Sequence, residues 1–170
     1  FSLIFILGIL TSLSLPPINF FLINFLTLSI FLGFLFKKLR QQRKIKYFFY
    51  YGWFFGFGYF LSNLYWITIS LTFDKNFTFL IPLVLILIPS FLALFYSLVS
   101  VLFCFFNPKN IISAFFTFSL LFGITEFLRG IILTGFPWNL FVYNMSNNLN
   151  FISIISTIGT YSLNLITISL

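Results

Sequence analysis

At 170 residues the chain has the length of one ordinary soluble domain, but it is 61% hydrophobic and only 6% charged, with a mean hydropathy of +1.12. That leaves too little polar surface to coat a water-soluble globule, and the composition reads as a membrane protein. The lack of histidine and the single cysteine remove the commonest metal ligand and general base and exclude a disulfide framework.

Spanning a hydrocarbon core takes about 20 apolar residues as helix, and the few polar or proline-rich breaks divide this chain into six such segments. The first runs from Phe1 to Leu15 and stops at Pro16-Pro17, which lack N–H donors and restrict the residue before them. The second, Ile18 to Phe36, leads into Lys37, Lys38, Arg40, Arg43, Lys44 and Lys46. These six of the nine cations, packed between two apolar segments, account for most of the net charge of +7. They form the positive-inside pattern rather than a nucleic-acid footprint and place the loop in the cytoplasm.

Alternation then fixes the remaining loops. Segment three, from about Tyr47 to Phe73, runs outward to Asp74-Lys75-Asn76, and segment four, from about Phe79 to Phe106, runs back to Asn107-Pro108-Lys109-Asn110. Segment four is longer than the core is thick, so tilt or a kink at Pro82 or Pro89 is expected. Segment five, Ile111 to about Leu133, leaves the membrane at Thr134-Gly135-Phe136-Pro137-Trp138, and segment six begins at Phe151. The expected class is all-α: a polytopic transmembrane bundle of about six spans. Its parts are a first hairpin (1–36), a basic loop (37–46), spans three to five (47–133), an external loop (134–150) and the start of a sixth span (151–170). The chain opens on Phe1 without an initiator Met and stops at Leu170 inside an apolar run, so both ends read as cuts.

Segment five carries the two charges expected inside a span, Glu126 and Arg129, three residues apart and neighbours on one helical face. Its fourteen Leu, Ile and Phe residues contribute about −4 to −8 kcal/mol to insertion, whereas two central, unpaired charges cost roughly +5 to +7. The segment would barely insert in that state, so Glu126 is expected to pair with Arg129, and Arg129 to snorkel towards the external face. A helix-orienting ion pair is one reading, and a polar anchor for a phospholipid head group or a docked domain is the other. Trp138, at head-group depth, is either an aromatic-belt anchor or a contact for acyl chains entering sideways. Gly52 and Gly56 have the GxxxG spacing that lets helix backbones approach. Cys104, among phenylalanines and without a nearby cation in sequence, reads as apolar filler.

Two blocks carry a family resemblance. Gly52-Trp53-Phe54-Phe55-Gly56-Phe57-Gly58 leads to Leu64-Tyr65-Trp66-Ile67, and Thr125-Glu126-Phe127-Leu128-Arg129-Gly130 leads to Thr134-Gly135-Phe136-Pro137-Trp138-Asn139. In order and spacing they resemble bacterial apolipoprotein N-acyltransferase, as do Ser14-Leu15-Pro16-Pro17 and Ile158-Gly159-Thr160-Tyr161-Ser162-Leu163. The resemblance covers essentially the whole chain, but only the amino-terminal membrane part of the family.

It implies a multi-pass enzyme of the bacterial inner membrane that moves an acyl chain from a phospholipid to the amino-terminal cysteine of a diacylglyceryl-apolipoprotein. The family's Glu-Lys-Cys triad lies in a periplasmic nitrilase-like domain, outside these residues, so no catalytic residue is assigned here and the piece alone is expected to be inactive. Trp138, Phe136, Glu126 and Arg129 are the substrate-binding candidates. No cofactor, metal or nucleic acid is expected. The partners are the phospholipid donor, the apolipoprotein acceptor and the bilayer, and the state is monomeric. The rival readings are a polytopic transporter or channel, which should show polar or broken helices lining a path through several spans, and an inactive membrane fragment.

Overall fold

A computed structural model describes residues 1–170 except Leu133, Thr134 and Phe136. The described residues form an all-α bundle: α1 (Ser2–Ser12), α2 (Leu22–Gln41), α3 (Ile45–Leu64), α4 (Ile81–Phe106), α5 (Ile111–Ile131), α6 (Leu149–Ser153), α7 (Ile155–Ile158) and α8 (Thr160–Ser169). Among the described residues three helical stretches are long and apolar enough to cross a membrane: Leu22–Gln41, Lys75–Phe106 and Ile111–Ile131.

Local chemistry accounts for the helix ends. Asn107 closes α4 in the left-handed conformation at φ 48°, a role Asn fills readily, and Pro108 then prevents the helix from continuing. Asn110 opens α5 by accepting the Ser113 N–H at 2.7 Å, so the four-residue Asn-Pro-Lys-Asn turn caps both helices that it joins. Pro82 lies in the first turn of α4, where a missing N–H costs nothing, whereas Pro89 lies inside the helix.

Helix α3 is the central element, held between α1 and α4. Gly52 and Gly56 meet α4: a Cβ on Gly52 would overlap the Tyr96 carbonyl, and one on Gly56 would come within 2.9 Å of the Ala93 Cα. The GxxxG pair therefore works as a packing face. Another face of α3 meets α1 as closely, because a Cβ on Gly8 would overlap the Phe55 carbonyl and one on Gly58 the Phe5 carbonyl. Phenylalanines fill the remaining space. Phe31 of α2 stacks on Phe55 at 4.2 Å, and Phe103, Phe118, Phe122 and Phe141 extend the same buried cluster.

The backbone departs from the simple six-segment division at three places, the first being α1, which ends at Ser12 rather than Leu15. Segment three is α-helical only to Leu64; Tyr65–Thr72 and Lys75–Leu80 are tighter 3₁₀ turns that lead into α4. The sixth segment is broken into α6, α7 and α8, with Gly159 at φ 82° between the last two, a conformation that favours glycine.

Candidate functional site

The sequence candidates converge where α5 ends. Arg129, in the last turn of α5, is 1% exposed, and one guanidinium N–H₂ group donates to the Glu126 carboxylate one turn back. The other donates from Nη1 to the Trp138 carbonyl at 2.8 Å, and the guanidinium lies over the Phe60 ring at 5.3 Å. The ion pair forms as the spacing predicts, but Arg129 does not snorkel. It points into the bundle, because the returning loop brings a backbone carbonyl to it and α3 supplies an aromatic face, replacing the water it would otherwise seek.

The carboxylate side of the pair is just as enclosed. Glu126 is 1% exposed, with the Tyr96 hydroxyl close by, and neither Glu126 Oε1 nor Tyr96 Oη has a well-formed hydrogen bond. Tyr59, packed beside Tyr96, donates its hydroxyl to the Asn139 carbonyl at 2.7 Å. The loop after α5 is thus tied to the bundle at two consecutive carbonyls, Trp138 by Arg129 and Asn139 by Tyr59, and Asn139 adopts a left-handed φ of 59° between them.

Held in this way, the Trp138 ring is about half exposed and stacks on Trp66, with centroids 5.2 Å apart. The indole pair is a wall shared by two open grooves. One, of about 620 Å³, is almost wholly apolar and includes Ile67, Ile69, Phe73 and Ile88. The other, of about 420 Å³, continues past Pro16, Asn139, Tyr143 and Ser146. Both volumes lie in the range of roughly 300–1,000 Å³ typical of small-molecule sites. Among the described residues the first groove's one polar lining side chain is Ser70, whose hydroxyl donates to the Ile67 carbonyl at 2.7 Å, so what the groove offers is a surface for apolar chains.

Of the candidates named from sequence, Trp138 lines the grooves, Glu126 and Arg129 sit behind it, and Phe136 lies outside the described residues. The sequence did not single out Trp66, Tyr59 or Tyr96 for this site. The available signal was that Trp66 and Trp138 both fall near the outer ends of outward-running segments, three and five. Cys104 is buried at the other end of the bundle, where Arg43 donates from Nε to its carbonyl at 3.1 Å. A cation therefore does approach it, contrary to the sequence reading, though the Arg43 N–H is spent on the backbone.

The same blocks of residues decide the family. Residues 7–170 match the model of the apolipoprotein N-acyltransferase N-terminal domain. The chain belongs to this family. It is 34% identical over 169 residues to the apolipoprotein N-acyltransferase of Rhodopseudomonas palustris, covering 96% of this chain and 31% of that protein. With the Rickettsia bellii protein of the same name it shares 37% identity over 164 residues, covering 96% and 32%. The Sinorhizobium medicae protein is 35% identical over 153 residues, covering 82% and 27%. The chain thus spans about a third of the length of the curated relatives it matches, and the match falls on the membrane-type helices described above.

Proposed function

We propose that this chain is the membrane portion of an apolipoprotein N-acyltransferase in the bacterial inner membrane. In this reading the loop 37–46 is cytoplasmic, and the Trp66–Trp138 end faces the periplasm. The complete enzyme moves an acyl chain from a phospholipid to the α-amino group of a diacylglyceryl-cysteine at the amino terminus of an apolipoprotein. It does so through a thioester on a cysteine of a domain beyond this chain, covalent two-step chemistry in which one acyl transfer loads the enzyme and a second unloads it. Cys104 does not serve as that nucleophile: it is buried by Arg43, about 27 Å along the bundle from the Arg129 end.

The part played by the present residues is to admit and hold lipid. The observation that carries this is the apolar groove of about 620 Å³ walled by the stacked Trp66 and Trp138. Flat indoles at head-group depth pack well on acyl chains. Glu126 and Arg129, each 1% exposed, act through Trp138 as positioning residues rather than as contacts to the lipid. The transporter reading has the broken sixth segment in its favour, but the buried charge among the described residues is one neutralised pair on α5 rather than charged groups on several helices.

The test is Trp138→Ala in the complete enzyme, assayed for acyl transfer from phosphatidylethanolamine to a synthetic diacylglyceryl lipopeptide. Turnover or lipid binding should fall by about tenfold or more, roughly 1.4 kcal/mol, at unchanged protein level, with Trp138→Phe recovering most of it. Parallel loss of protein and activity would instead assign Trp138 a purely structural role.

A further inference from the structure

The charge of this chain is concentrated at one end of the bundle. At the other end Lys75 adjoins Asp74, and Arg129 is paired with Glu126. The whole net charge of +7 therefore resides in Lys37, Lys38, Arg40, Arg43, Lys44, Lys46 and Lys109.

These seven groups lie together because two of them tie the connections to each other. Arg40 donates to the Pro108 carbonyl at 2.6 Å, and Arg43 donates to the Cys104 and Phe105 carbonyls at 3.1 and 3.0 Å. The arginines thus satisfy carbonyls at and beyond the end of α4, where cations are favoured. In doing so they bring the α2–α3 connection against the α4–α5 turn that carries Lys109. Lys38 lies over the Tyr47 ring at 4.0 Å. The remaining lysines, Lys37, Lys44, Lys46 and Lys109, are exposed, and no acidic residue belongs to this end.

The cations border exposed apolar surface. Lys109 is flanked in sequence by Phe105, Phe106, Ile111 and Ile112, each more than half exposed, and Lys44 and Lys46 flank the exposed Ile45. A ligand for this face needs negative charge beside hydrocarbon. A free phosphate leaves the apolar residues uncovered, and a nucleic acid cannot follow them into the bilayer.

We infer that the basic end of the bundle is a binding surface for the phosphodiester head groups of anionic phospholipids, with their acyl chains lying along the exposed aromatic and aliphatic residues beneath. Juxtamembrane clusters of four to eight cations attract such lipids with an effect of about fivefold per lysine near the surface. The site is separate from the Trp66–Trp138 groove and does not depend on the acyltransferase reading.

The test is native mass spectrometry of the complete protein released from mixed phosphatidylcholine and phosphatidylglycerol bilayers. Phosphatidylglycerol should be retained well above its mixing ratio, and the enrichment should fall as salt is raised. Replacing Lys37, Lys44, Lys46 and Lys109 together by Gln should reduce the enrichment at least tenfold. Replacing the same four by Arg should preserve it, as should Lys75→Gln at the opposite end. Arg40 and Arg43 stay unchanged, because they hold α4. If the fourfold Gln variant does not fold, the salt dependence of the unaltered protein and the Arg variant still decide. Enrichment that ignores salt, or that survives neutralisation, overturns the proposal. So does equal displacement by millimolar inorganic phosphate, which would indicate a free-anion site, or preferential retention of a short RNA, which would indicate a nucleic-acid surface.

Discussion

Arg129 and Glu126 illustrate how a buried charge pair can be costly to break yet of little net value as a pair. Truncating one partner leaves the other charge uncompensated in a low-dielectric interior, so Glu126→Ala or Arg129→Ala should each destabilise the bundle by about 3–5 kcal/mol. Replacing both with apolar residues, Glu126→Leu with Arg129→Met, should recover most of that loss, read as the denaturation midpoint in bicelles. The double variant still loses the donor to the Trp138 carbonyl, so turnover of the complete enzyme should remain depressed although the fold is restored. Full recovery of turnover would show that the pair does not position Trp138. The pairing itself was legible in the three-residue spacing. The direction of the Arg129 side chain was not, because it depends on a loop carbonyl nine residues further along and on Phe60 of another helix.

Helices pack here by removing side chains as much as by adding them. Gly52 sits where a Cβ would overlap backbone of α4, whereas Gly33 has no heavy atom within 4 Å of its would-be Cβ. The two glycines should therefore respond oppositely to the same change. Gly33→Ala lies in the interior of α2 and should stabilise the protein by about 0.5–1 kcal/mol through helix propensity. Gly52→Ala must push α3 away from α4 and should lower the unfolding midpoint by an amount worth about 1–3 kcal/mol. Thermal unfolding of both variants in the same detergent checks the contrast, and equal shifts would contradict the packing described. The GxxxG spacing marked a close-packing face of α3, but not that α4 is its partner. The equally close α1–α3 contact uses Gly8 and Gly58, which share no motif because they lie on different helices. Hydropathy likewise could not separate the 3₁₀ turns at Tyr65–Thr72 from the end of α3, since it records how apolar a segment is and not the path of its backbone.

For the molecule as a whole, the separation of charge between the two ends sets an expectation for orientation. With the basic end in the cytoplasm, Ser146→Cys in a cysteine-free background of the complete protein should be labelled by a membrane-impermeant thiol reagent added to spheroplasts. Lys44→Cys in the same background should react only after the membrane is permeabilised. The reverse pattern would invert the topology and place the Trp66–Trp138 grooves on the cytoplasmic side. Because Ser146 lines the second groove, the same experiment reports which leaflet would supply lipid to that site.

The sequence by itself determined the environment, the class and the family. An excess of apolar side chains leaves no soluble alternative, the polar breaks mark where helices end, and the order of the Gly-Trp and Glu-Phe-Leu-Arg-Gly blocks carries the resemblance that the family model matches over residues 7–170. Those properties are local or cumulative, so they can be read along a line. Only the tertiary structure decided that Trp66 stacks on Trp138 across 72 positions, that Tyr59 and Arg129 hold adjacent carbonyls of one loop, and that Arg40 and Arg43 draw the lysines into one face. Apart from the Arg129–Trp138 bond, which spans nine residues, these contacts join elements far apart in the chain, and such proximity is a property of the packed bundle that no local stretch of sequence records.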